Sequence, residues 1–97
     1  MPTVAHVGLL LLTLDLPDCD SLKDKRRVLS SLLNRIRREM QVSAAEVGLQ
    51  SRIRSSVVGF ALLSGARTQV ERLRDRVERF VDGEPRLVVV EREWAWL

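Results

Sequence analysis

The chain has 97 residues, 45% hydrophobic and 30% charged, a balance suited to a folded soluble unit and too apolar for intrinsic disorder. That length predicts one domain spanning 1–97, and the single cysteine, Cys19, excludes an internal disulfide. The formal net charge of +3 is unevenly spread: residues 1–20 contribute −3, residues 21–40 contribute +5 and the remainder +1.

The first predicted element is a strand over Val4–Leu16. Both residue parities are apolar there, as expected of a central strand covered on both faces. The run is too short to span a bilayer and is interrupted by His6, Thr13 and Asp15, so no membrane association is expected. One cysteine and no export-signal pattern point to the cytoplasm. Pro17-Asp18-Cys19-Asp20 reads as a turn.

Ser21 opens the next element. With Asp24 three residues on, it has the spacing of a capping box. The predicted helix, Leu22–Met40, carries Leu22, Val28, Leu29, Leu32, Leu33, Ile36 and Met40 at helical spacing. Beside this apolar stripe an arc of about 120° at ~100° per residue holds Lys23, Arg26, Arg27, Arg37 and Arg38, with Ser30 and Asn34. No acid falls within it; Asp24 and Glu39 lie on the opposite flank with Arg35. A one-sided basic stripe suits phosphate contacts along a nucleic-acid backbone. The competing reading is a solvated face whose charges reach acids such as Asp15, Asp18 or Asp20. Lys25 stands apart, because its angle falls inside the apolar arc. Either its stem packs while its ammonium reaches water, or it pairs with Glu46 as part of a ligand-binding corner.

Gln41–Gly48 reads as a second strand, Gly48-Leu49-Gln50-Ser51 as a hairpin connection, and Ile53–Ser64 as a third strand. A second helix spans Arg67–Asp82, with Val70, Leu73, Val77, Phe80 and Val81 on its apolar side, and ends at Gly83 and Pro85. Its Arg67/Glu71, Arg74/Glu78 and Asp75/Arg79 spacings describe a solvated face. The last strand runs from Arg86 to Trp94 or beyond. Trp94 and Trp96 share one face of it, suited to an interface or to covering the edge of the core.

The order strand, helix, strand, strand, helix, strand predicts an α+β, ferredoxin-like βαββαβ fold: a four-stranded antiparallel sheet with both helices on one face. The other face is then bare and apolar, and a homo-oligomer through it is expected, unless long loops or the C-terminal Trp94-Ala95-Trp96-Leu97 fold across it.

Ser21-Leu22-Lys23-Asp24-Lys25-Arg26, the amphipathic helix after it, and Val42-Ser43-Ala44-Ala45-Glu46-Val47-Gly48 together resemble the YlxP-like family of small uncharacterised bacterial proteins. Gly59 and Ser64 of the third strand fit as well, and the resemblance covers roughly residues 5–93. It implies the ferredoxin-like fold, a bacterial cytoplasm and, because genes of the family often lie beside those for translation initiation factor two and ribosome-binding factor A, a link to RNA or the ribosome. The sequence departs from the family pattern in the hairpin, where members tend to carry acidic residues and a tryptophan near the positions of Leu49, Ser51 and Ile53.

The central strands offer only Phe60 for base stacking, so RNA contact is expected from the helix and not from the sheet. His6 lacks the companions a metal site needs, no cofactor-binding motif is present, and no nucleophile stands with a base. The expected function is therefore a non-enzymatic RNA- or ribosome-associated factor using the basic first helix. The alternative is an oligomeric small-ligand-binding or regulatory module with no nucleic-acid role.

Overall fold

A computed structural model describes residues 2–97. Its elements are β1 (His6–Asp15), α1 (Leu22–Glu39), β2 (Ser43–Gly48), β3 (Ser55–Ser64), α2 (Arg67–Asp82) and β4 (Val88–Trp96). The strands form one sheet in the order β2-β3-β1-β4, with every neighbouring pair antiparallel. This is the ferredoxin-like α+β arrangement. Each strand begins two residues later than the sequence expectation, at His6, Ser43, Ser55 and Val88.

Alternation along the strands sorts the side chains. Leu10, Leu12 and Leu14 of β1 and Val58, Phe60 and Leu62 of β3 are fully buried beneath α1 and α2, where they meet Leu29, Leu32, Ile36, Val70, Val77 and Val81. The opposite parity forms the face away from the helices. Leu9 and Leu11 are half-buried there, while Ala45, Val47, Ala61 and Leu63 are exposed.

The C-terminal tryptophans do not cross that open face. Trp94 pairs with Leu10 and Trp96 with Gly8 across β1–β4, which turns both toward the helices. A Cβ on Gly8 would sit 2.1 Å from the Trp94 ring, so glycine is required for this close approach. Arg74 stacks over Trp94 and Arg67 over Trp96. Of the three expected pairs on α2, only Arg74–Glu78 forms, at 3.2 Å; stacking on tryptophan is the alternative open to Arg67.

α1 packs over β2, and α2 lies over β1, β3 and β4. One flank of α1 faces α2, as Arg35 shows by reaching Glu84 and stacking over Phe80. The other flank faces away, above the β2 edge of the sheet.

Candidate functional site

The start of α1 is capped as its sequence predicts. Ser21 is extended, and its Oγ accepts from the Asp24 amide at 3.0 Å. The Asp24 carboxylate reaches back to the Asp20 amide, also at 3.0 Å, one residue earlier than the expected partner. The first bond satisfies one of the amide hydrogens that a helix start leaves free, and together the two fix the entry of the chain into α1.

One turn on, Lys25 lies in the core, 1% exposed. Its ammonium does not reach water. Nζ is 2.9 Å from Glu46 Oε2 on β2 and donates to the carbonyl oxygens of Leu49, Gln50 and Ser55 at 3.0, 3.2 and 3.2 Å. Ser56 Oγ donates to the same Glu46 oxygen at 2.7 Å. Three N–H groups thus serve four oxygens, and none is left for a ligand. The loop turns at Leu49, whose φ of 56° is the left-handed conformation that brings its carbonyl inward. Lys25 holds the hairpin mainly by its backbone, so the side chains of Leu49, Ser51 and Ile53 are not part of the clamp.

The outer flank of α1 is organised oppositely. Lys23, Arg26, Arg27 and Arg38 are exposed, and none of them has an ion-pair or hydrogen-bond partner among the described residues. Asp20 is engaged by Arg54 from the hairpin, at 3.4 Å, and not by the helix. Arg37 differs from the other four. It donates to Asn34 Oδ1 at 2.9 Å and to the Ala44 carbonyl of edge strand β2, tying the flank to the sheet.

Two groups of arginines escaped the sequence reading. Arg52 is exposed and unpaired among the described residues, within the loop that Lys25 holds. The Lys25 clamp and the Arg54–Asp20 pair hold that loop beside the start of α1, and the misplaced angle of Lys25 was the signal available. Arg72, Arg76 and Arg79 are likewise exposed on α2 without ion pairs among the described residues. The acidic residues of the open face, Glu91 and Glu93, sit opposite Thr13 and Leu11. Apart from Arg52, the unpaired positive charge among these residues therefore lies on the helices, and the sheet face carries none in its central rows.

Among the described residues that face also offers no aromatic ring. Phe60 is fully buried on the helix side, and both tryptophans point the same way, so the open face has no ring on which a base could stack. His6 packs edge-on to Trp96 with ring centroids 6.4 Å apart. Cys19 is buried, and burial, with Asp24 nearby, pushes its thiol pKa up, away from reactive thiolate. Among the described residues no three His, Cys, Asp or Glu side chains are grouped to hold a metal ion, and no helix is long and apolar enough to cross a membrane.

A second buried charge closes the far end of the helix layer. Glu84, 5% exposed, takes Arg86 at 2.8 and 2.9 Å and Arg35 at 3.1 Å. The hydrogen bonds from Arg86 hold its carboxyl pKa at about 2. Like Lys25, Glu84 is saturated by its own chain.

Residues 7–94 match the model of a family described as "Protein of unknown function (DUF503)". The chain is also 35% identical over 79 residues to "Uncharacterized protein YlxP" of Bacillus subtilis (strain 168), covering 79% of this chain and 86% of that protein.

Proposed function

The chain belongs to the DUF503 family of YlxP-like proteins, and from that premise we propose that it is a non-enzymatic cytoplasmic factor that binds RNA, free or within a ribosomal subunit, through the outer flank of α1. Lys23, Arg26, Arg27 and Arg38 contact phosphates in this reading, and Arg37 anchors the flank to β2. One observation carries it: these four charges are exposed together on one flank of α1 and meet no partner among the described residues, whereas the buried Lys25 and Glu84 are saturated. Charge that no intramolecular partner satisfies remains available to a polyanion, and release of condensed counterions drives such binding.

Four engaged phosphates give a slope of log affinity against log salt of roughly −2.8 for single strands to −3.6 for duplex. With no aromatic on the open face, recognition rests on backbone and shape. The test is titration of the purified protein with ribosomal RNA and with small ribosomal subunits across a salt series. Saturable binding with that slope supports the reading. Affinity and slope left unchanged by replacing Lys23, Arg26, Arg27 and Arg38 with Gln overturn it.

A further inference from the structure

The open sheet face has a shape that complements itself, and we propose that a second copy of this chain docks there, sheet to sheet, about a two-fold axis running parallel to the strands between β1 and β3. The proposal stands independently of the phosphate-binding reading, because it concerns the opposite face of the molecule.

Relief is the first argument. β1 presents a ridge, Leu9 and Leu11, and β3 beside it presents Ala61 and Gly59 at the same levels. Two shallow depressions of about 410 and 420 Å³ flank the ridge, one over β3 and β2 and one toward β4. Rotation about the stated axis sets Leu9 opposite the partner's Ala61 and Leu11 opposite the partner's Gly59. Each ridge then enters the other copy's trough.

Charge selects the axis. In the central rows the charged side chains are Glu91 and Glu93 of β4, level with Thr13 and Leu11. An axis perpendicular to the strands would stack β4 on β4 and crowd four carboxylates. The parallel axis sets each Glu93 opposite Ala45, its level on β2 through Leu11 and Gly59, which avoids the like-charge contact.

Area is sufficient. Four strands about 4.8 Å apart and some eight residues of ~3.3 Å rise span roughly 500 Å² in projection. Two such faces bury about 1,000 Å², the size from which specific association is distinguished from casual contact. An interface at this lower limit predicts a dimer that dissociates on dilution. Both α1 flanks stay on the outside of such a dimer.

Sedimentation equilibrium over a dilution series tests the proposal, starting from a chain mass of 11.1 kDa. The protein is expected at twice that mass when concentrated. Ala61→Glu, at an exposed position, is expected at the single mass with an unchanged circular dichroism spectrum and melting temperature. Cross-linking reads the axis: a Ser43→Cys/Ala95→Cys double variant, treated with a short bis-maleimide, gives a covalent dimer, and neither single variant does. Within one chain these positions lie on β2 and β4, three strand spacings or about 14 Å apart, beyond a short linker. A protein that stays at the single mass throughout, a dimer that survives Ala61→Glu, or single variants that cross-link to themselves each overturn the proposal.

Discussion

Lys25 and the outer flank of α1 share one helix and one sign of charge, and they use that charge in opposite ways. Lys25 is buried and meets a carboxylate and three carbonyls; Lys23, Arg26, Arg27 and Arg38 are exposed and meet no partner among the described residues. A saturated buried charge holds the fold together, because removing either partner strands the other away from water. An unsaturated surface charge adds little to stability and stays free for a polyanion. Charge counting treats the five alike; only the fate of their hydrogen-bond donors separates them.

The largest effect is expected at Lys25. Lys25→Met leaves three inward carbonyls and Glu46 without their cation, a loss expected at about 3–5 kcal/mol. In a chain of this size each kcal/mol lowers the melting temperature by roughly 4–8 °C, so calorimetry reads the effect directly. Glu46→Gln keeps the carbonyl partners and removes one charged bond, with an expected loss of about 2 kcal/mol. If Glu46→Gln cost as much as Lys25→Met, the carboxylate and not the backbone would be the principal partner. Ser21→Ala removes the cap that sets the helix entry, at about 1 kcal/mol, measured by urea denaturation. Replacing Lys23, Arg26, Arg27 and Arg38 with Gln should change stability by less than about 0.5 kcal/mol for each, yet abolish the salt-dependent part of RNA binding. That contrast is the sharpest form of the comparison.

Glu84 extends it to pH. Its pKa falls on folding from the ordinary carboxylate value of 4.5 to about 2, so the unfolded chain takes up its proton first as pH drops. The stabilising contribution is complete above about pH 4.5 and fades as pH falls toward 2. Glu84→Gln should flatten that part of the pH–stability profile, followed by thermal melts, and leave the profile above pH 5 parallel to the parent's.

Much of the fold was legible because the apolar residues of α1 and α2 recur at helical spacing and Ser21/Asp24 and Gly83/Pro85 mark helix ends. β1, apolar on both parities, marked a central strand without showing that the helices cover only the face of Leu10, Leu12 and Leu14. The flank of α1 was legible for the same reason, since its angle fixes its exposure. The partners of Lys25 were only half legible. Its angle and Glu46 could be read, but convergence of three carbonyls depends on a loop turning at Leu49, which no side-chain pattern encodes. The destination of the tryptophans was hidden too. The side they face follows from pairing Trp94 with Leu10 and Trp96 with Gly8, a register set by the assembled sheet. The extra bases of α2 were masked by i,i+4 spacings; Arg67 stacks on Trp96 instead, and Arg79 is left unpaired among the described residues.

The most direct measurement is the salt dependence of binding to small ribosomal subunits, compared between the parent chain and the variant with Lys23, Arg26, Arg27 and Arg38 replaced by Gln. Expected are a parent slope of roughly −2.8 to −3.6 and a variant slope near zero, with the variant still folded by circular dichroism. A parent that does not bind, or a variant that binds with the same slope, contradicts the phosphate-binding reading.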